Sequence, residues 1–423
     1  MNIKNEFENE KSNYETYKAK GISLDISRGK PNKSQIDYIA SVFKAAENKN
    51  DFYVKRIGID KSDAGNYGLP NGISELRNLF SDILDVPVNN IIIGGNSSLS
   101  LMYDLIVINL LFGNPQSRRP WKDEVKIKFL CPCPGYDRHF AMIKNFGFEM
   151  IPVPMTPNGP DMDIIEKLVS EDDSIRGIWC VPIYSNPEGY VYSYETVMRL
   201  AKMTCSAPDF RIFWDNAYFA HHLDPNRINT IPDILKLCAD HGNEDRVYEF
   251  ASTSKISFPG AGIAVIASSK KNIAQIQDQF KYKTIGNDKM NMWRHSLVFK
   301  TKADVYAHMA KLSEFNRPKF KATNDILESE LKDYGRYVHF THPEGGYFLS
   351  FNTMKGCAKR TYALCKAAGL IITTVGDTYP NSFDPDDSNI RIAPTYAEMD
   401  DLVQAMHLFA CCVKLAILEK LNL

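Results

Sequence analysis

Residues 249–268 read EFASTSKISFPGAGIAVIAS. A strand-like apolar run leads into Ser252-Thr253-Ser254-Lys255. A Pro-Gly-Ala-Gly turn follows, and then a second apolar run. A lysine kept only for solubility needs no crowding by small hydroxyls and glycines. Its place at a strand end predicts chemistry, because open parallel sheets hold ligands outside the carboxyl ends of their strands.

Working outward, the same texture repeats. NIIIGG, VKIKFLCP, GIWCVPIYSNPEG, FRIFWDNAY, VYEFAST and GIAVIAS are short apolar runs closed by turn residues. Helical stretches lie between several of them. GISELRNLFSDIL, for example, sets Ile73, Leu76, Phe80 and Ile83 on one side. Apolar strands alternating with helices predict an α/β fold with a mostly parallel, buried central sheet flanked by helices. From about residue 300 the pattern becomes α+β. A long helical stretch with a break near Pro318 precedes strands at GGYFLSF and SNIRIAP and a final helix. At the other end, residues 5–20 predict a polar helix and ISLDISRGKPN a short strand. The expected division is a large domain over 53–299 and a smaller α+β domain built from 1–52 and 300–423.

The bulk numbers narrow the partners. The chain has 423 residues, long enough for two domains or for a large one with an appendage. Lys plus Arg is 50 against 51 for Asp plus Glu, a net charge of -1, which argues against a nucleic-acid or membrane-surface binder. No apolar run reads as long enough to span a bilayer, and the start MNIKNEFENEKSNYE is too acidic for a signal peptide. The nine cysteines are scattered. Cys131 and Cys133, and the adjacent Cys411 and Cys412, suit neither zinc nor a disulfide framework, so reduced thiols in a cytoplasmic protein and no metal are expected.

Four strand ends carry polar groups. Asn96, Ser97 and Ser98 follow Gly94-Gly95 at a helix N-terminus, where free N–H groups and the dipole favour an anion. Asn186 precedes a proline, Asp215 ends a buried strand three residues before Tyr218, and Lys255 is the fourth. Singly these are ordinary: Ser and Asn cap helices, Asn before Pro marks a turn, and a buried acid can be a structural cap. Together they meet the needs of pyridoxal phosphate. A lysine amine can form a Schiff base with its aldehyde, and three further groups are then required. Gly95, Asn96, Ser97, Ser252 and Ser254 would hold the phosphate, Asp215 would face the pyridine nitrogen, and Asn186 and Tyr218 would meet the ring hydroxyl oxygen.

The order Asn-Pro-x-Gly, Asp-x-Ala-Tyr, Ser-x-x-Lys and a late Arg-x-x-Pro resembles pyridoxal-phosphate enzymes of fold type I. From about residue 22 to the C-terminus the chain is similar to the class I and II aminotransferases. In NYGLPNGISELRNLF, the resemblance implies that Tyr67 reaches the cofactor phosphate of a partner subunit, hence a homodimer with shared active sites. In PCPGYDRHF it implies that Tyr136 stacks on the cofactor ring. In NIRIAPT it implies that Arg391 clamps the substrate α-carboxylate, and in SRGKP that the backbone of Gly29 approaches the same group. The implied mechanism is ping-pong, moving an amino group between an amino acid and a 2-oxo acid, with Lys255 as Schiff-base lysine and proton shuttle and Asp215 and Tyr218 as its catalytic partners.

Two departures stand out. Most such enzymes carry an arginine after the lysine for the phosphate; here the turn is PGAGIA, with Gly262 or its neighbour in that place. Lys289 or Arg294, in GNDKMNMWRH, is the expected substitute. The usual threonine of Asn-Pro-Thr-Gly is Glu188. With SRGKPN and CPGYDRHF, these features resemble a divergent aspartate aminotransferase subgroup, which implies aspartate and 2-oxoglutarate as substrates. Arg28, Arg138 or a partner's arginine at position 294 would read the side-chain carboxylate. The alternatives are an aminotransferase for an aromatic amino acid or alanine, and a lyase or synthase of the same fold, since PGYDR also resembles aminocyclopropane-carboxylate synthase. A regulator reading lacks room for a DNA-binding module before the cofactor domain, and a dead homologue is at odds with the intact lysine, aspartate and arginine.

Overall fold

A computed structural model describes residues 3–49 and 64–422, so the expected domain start at residue 53 lies outside the described residues. In chain order the first elements are α1 (Ile3–Ala19), β1 (Leu24–Asp25), α2 (Lys33–Lys49), α3 (Ser74–Leu84), β2 (Ile91–Ile93) and α4 (Ser98–Phe112). The middle holds β3 (Lys128–Cys133), α5 (Asp137–Asn145), β4 (Glu149–Thr156), β5 (Gly159–Pro160), α6 (Met162–Glu171), β6 (Ile175–Cys180) and α7 (Tyr194–Lys202). Next come β7 (Arg211–Asp215), α8 (Ile234–Asp240), β8 (Val247–Ser252), β9 (Ala264–Ser268), α9 (Lys270–Lys283) and α10 (Lys289–Val298). The last are α11 (Lys302–Glu330), β10 (His339–Phe340), β11 (Leu349–Asn352), α12 (Ala358–Ala367), β12 (Leu370–Ile371), β13 (Asn389–Ile392) and α13 (Met399–Leu421).

The main sheet has eight strands in the order β2-β9-β8-β7-β6-β3-β4-β5. Pairings from β8 through β7, β6 and β3 to β4 are parallel; β9 runs antiparallel to both neighbours. The expected α/β architecture with a mostly parallel sheet is what forms. Both faces are covered, which is why the strands read as near-continuous apolar runs. Leu76 and Phe80 of α3, Ile165 of α6, Leu200 of α7 and Trp293 of α10 pack on one face, in a cluster that includes Ile212, Trp214 and Val265. Leu105 of α4, Phe140 of α5 and Ile276 of α9 cover the other, against Phe129, Phe213 and Phe250. Helices begin where the sequence supplies caps: the Asp161, Ser193 and Ser269 side chains each accept from first-turn N–H groups.

β4 and β5 were not legible. EMIPVPMT carries Pro152 and Pro154, which lack an N–H and argue against a central strand. Here β4 pairs with β3 along its length and meets only the two residues of β5 on its other side, so the missing donors face an edge.

A second core surrounds the three-stranded antiparallel sheet β10-β11-β13. Tyr14 of α1, Leu349 and Phe351 of β11, Leu364 of α12, Ile390 of β13 and Phe409 of α13 belong to it. The N-terminal segment joins this core through α1 and through β1, which pairs in parallel with β12. Helix α2 does not, because Ile39 and Phe43 pack in the cluster of the large sheet. Two sequence expectations are corrected. Helix α11 runs unbroken through Pro318, because the proline and Glu314, whose carbonyl loses its donor, both lie on the exposed side. And α13 is long and apolar enough to cross a membrane by length and composition, although most of it is buried inside this core.

Candidate active site

β7 delivers Asp215 at its carboxyl end, and the side chain is nearly fully buried. Its Oδ2 lies 3.1 Å from His139 Nε2, and the His139 ring stacks on Trp179 with centroids 4.2 Å apart. Its Oδ1 is buried with no hydrogen-bond partner among the described residues. A buried acceptor left open costs free energy unless something donates to it.

β8, one strand over, ends at Ser252 and leads to Lys255. Lys255 Nζ stands 4.7 Å from the centre of the Tyr218 ring. Burial holds its ammonium below the usual lysine range; Asp215 opposes that shift and Arg391 adds to it. Part of the side chain still opens onto the pocket. A neutral amine is therefore more accessible than on a surface lysine. Tyr347, buried behind it, donates to the Lys255 carbonyl at 3.2 Å.

The two strand ends close a cavity of about 120 Å³ lined by Ser97, Ser98, Leu99, Tyr136, Val181, Asn186, Asp215, Ala217, Tyr218, Ser252, Ser254 and Lys255. Eight expected residues thus meet in one place: Ser97, Tyr136, Asn186, Asp215, Tyr218, Ser252, Ser254 and Lys255. The floor is the N-terminus of α4, where the cap residue Ser97 makes no side-chain capping bond. Ser252 and Ser254 share a hydrogen bond of 2.6 Å, and Ser254 donates to the Asn96 carbonyl at 3.2 Å. Asn96 does not line the cavity; its amide donates to the Gly260 carbonyl and ties the two turns together. Gly95 does so through its carbonyl, which accepts from Ala264 N at 2.8 Å.

Other expected residues sit around this pocket. Arg391, on β13, donates through Nη1 to Asn186 Oδ1 at 3.3 Å and to Asp137 Oδ1 at 2.7 Å, and it stacks over Phe348. A Cβ on Gly29 would lie 2.1 Å from the tip of that same Phe348 ring, so only glycine lets the ring sit there. Tyr67 is 80% exposed and does not line the cavity. Arg28 lies outside the cavity lining, paired with Asp25 at 3.4 Å, and Arg138 is exposed.

At the position of the absent arginine, a Cβ on Gly262 would stand 3.0 Å from Ser254 N, so a side chain there would press on the serine turn itself. The expected substitutes do not line the cavity of their own chain. Lys289 donates to the Tyr67 carbonyl at 3.1 Å, and Arg294 pairs with Glu47. Sequence reasoning missed His139, Trp179 and Asp137. His139 had a signal, since it lies one helical turn beyond Tyr136.

The Aspartate amino-transferase family model matches residues 2–423. The chain belongs to that family. It is an aminotransferase, acting on amino and keto acids, and aminotransferases of this family use pyridoxal phosphate. An aspartate aminotransferase of Corynebacterium glutamicum is 40% identical over 97% of this chain and 93% of its own. A Mycolicibacterium smegmatis protein whose name goes no further than aminotransferase is 44% identical over 97% of this chain and 94% of its own. The crystal structure of a C. glutamicum aspartate transaminase superposes with a TM-score of 0.93 at 38% identity, covering 99% of this chain and 97% of that one. The residues present fit the cofactor. The open Asp215 Oδ1 is the acceptor a protonated ring nitrogen needs, and the serine-lined helix N-terminus is an anion cradle.

Proposed function

We propose that this aminotransferase moves the amino group of aspartate to 2-oxoglutarate in a ping-pong cycle, working as a homodimer in the cytoplasm. When bound, pyridoxal phosphate supplies an aldehyde for the amine and an electron sink for the α-carbon. The chain supplies the rest. Lys255 Nζ takes the α-proton and returns it, a task suited to an amine that burial keeps below the usual lysine range. Asp215, steadied by His139, holds a proton on the ring nitrogen through Oδ1. Tyr218 and Asn186 would donate to the ring oxygen, and Tyr136, which lines the same cavity, would pack against the ring. Ser97, Ser252, Ser254 and the N–H groups at Gly95 and Asn96 would receive the phosphate, and Tyr67, 80% exposed in its own chain, would reach it across the dimer. Arg391 and the backbone of Gly29 bind the α-carboxylate.

The observation that carries the aspartate reading is the 40% identity, over 97% of the chain, to the C. glutamicum aspartate aminotransferase. Arg28 supports it. Its side chain is 63% exposed beside Gly29, and its 3.4 Å pair with Asp25 is a surface contact that a second carboxylate can compete for. The scattered spacing of the nine cysteines, which forms no disulfide framework, supports a reducing compartment. The test is a panel of amino donors, each with 2-oxoglutarate. Losing a charge-assisted contact should lower kcat/KM on the order of a hundredfold for a neutral donor of similar size. If alanine, leucine or phenylalanine matches aspartate, the dicarboxylate reading fails and the aminotransferase remains.

A further inference from the structure

Glu188 is a carboxyl group 5% exposed, held where the resemblance leads one to expect a threonine. Burial pushes its pKa up, against hydrogen bonds from Ser350 and Tyr190. Ser350 Oγ donates to Glu188 Oε1 at 2.9 Å and accepts from Asn389 Nδ2 at 2.8 Å, and Asn389 Oδ1 accepts from Thr378 Oγ1 at 2.8 Å. This chain of contacts joins two parts of the substrate site. Glu188 lies two residues after Asn186, on the loop that follows β6. Ser350 lies on β11 directly opposite Arg391 of β13. Arg391 and Asn186 meet at 3.3 Å. The Glu188–Ser350 bond therefore closes a ring: loop, carboxyl, strand pair, guanidinium, amide and back to the loop. A threonine hydroxyl, about two bonds shorter than a glutamate carboxyl, would not span the same gap.

We propose that Glu188 is the positioning residue that sets Arg391 against Asn186, and so tunes how tightly this enzyme holds substrate carboxylates. The inference rests on the reading of Arg391 as the α-carboxylate ligand. It adds a residue that touches neither substrate nor cofactor and acts through Ser350. A misplaced guanidinium weakens binding in the ground and transition states alike, which raises KM and leaves kcat.

The experiment measures kcat and KM for the best donor of the panel and for 2-oxoglutarate in the holoenzyme, together with cofactor retention. Glu188→Thr and Glu188→Ala should raise both KM values about tenfold with kcat within about twofold and retention unchanged. Glu188→Gln, which keeps an oxygen for Ser350 Oγ, should stay near the parent. Ser350→Ala should reproduce the Glu188→Ala effect, and the double variant should add little to either, which covers the case in which Glu188→Ala fails to fold. Unchanged KM values in Glu188→Ala or in Ser350→Ala, additive effects in the pair, or a Gln variant as impaired as Ala would overturn the proposal. Arg391→Lys separates the two levels. If it leaves KM untouched, the carboxylate reading falls and this proposal with it; if it raises KM while Glu188→Ala does not, only the role of Glu188 falls.

Discussion

Two buried carboxyl groups stand on neighbouring strands of the main sheet and meet opposite fates. Asp215 ends β7, and Glu249 sits within β8 opposite Trp214. Both are about 95% buried. Asp215 has a histidine nitrogen on one oxygen, the Lys255 amine nearby and a second oxygen open to whatever enters the pocket. Glu249 has the neutral amide of Asn216 at 3.1 Å. Burial pushes Glu249 up to about 8; the Asn216 amide opposes the shift and Asp233 adds to it. Depth does not separate them. Partners do: Asp215 meets a histidine nitrogen and keeps an oxygen open to the pocket, whereas Glu249 meets a neutral amide and is held toward its neutral form by burial.

The comparison can be broken most forcefully at Lys255, the amine on the Asp215 side. Lys255→Ala should cost about 10⁴-fold or more in transamination. Borohydride reduction of the parent holoenzyme should place the label on Lys255 in a peptide map; a label on Lys270, Lys271 or Lys289 would end the scheme. Next, Asp215→Asn should lower kcat on the order of a thousandfold, while Glu249→Gln stays within about threefold of the parent. Equal losses in the two variants would erase the distinction drawn here. His139→Phe should cost about ten- to a hundredfold in kcat by releasing one Asp215 oxygen, with the stack on Trp179 kept; unchanged kcat would make His139 a packing residue.

The smallest effect sharpens the Glu249 side. Its folded pKa, about 8, lies above the ordinary 4.5. Between those values the unfolded chain releases a proton that the folded chain keeps. The stabilising contribution is therefore complete below about pH 4.5 and is lost as pH rises through about 8. Thermal melts of the parent and Glu249→Gln should diverge across that window, with the variant gaining relative stability toward pH 8. Parallel melting curves would mean that Glu249 is already charged in the folded protein.

Much of the site was legible because it lies at strand ends, where local patterns announce themselves. SNPEG, WDNAY and STSK each mark a strand meeting a turn, and the sheet brings those turns together without further instruction. What escaped reading depends on distance in the chain. Asp137 and Arg391 are 254 residues apart and pair only because β13 approaches the start of α5. His139 was hidden by an ordinary helical setting, and its role appears only when β7 places Asp215 beneath it. The edge strands β4 and β5 were masked by prolines that a sheet edge tolerates. The apolar length of α13 was underestimated because Asp400 and Asp401 open it, Lys414 interrupts it, and Glu419 and Lys420 close it.

Helix α11 has a mechanical consequence. It is 29 residues long, roughly 44 Å at 1.5 Å per residue. Its early residues Val305, Met309 and Leu312 are anchored beneath the large sheet, and its late residues Ile326 and Leu327 are set in the core of the smaller one. Lys319, past the midpoint, donates to the Thr395 carbonyl at 2.9 Å, which pins the rod to the chain just beyond Arg391. Such a rod is a lever. A tilt of about 5° at its anchored end carries the far end about 4 Å, more than the reach of a hydrogen bond. The placement of Arg391 is thus tied, through Lys319 and Thr395, to a helix whose first half is packed in the core of the large sheet.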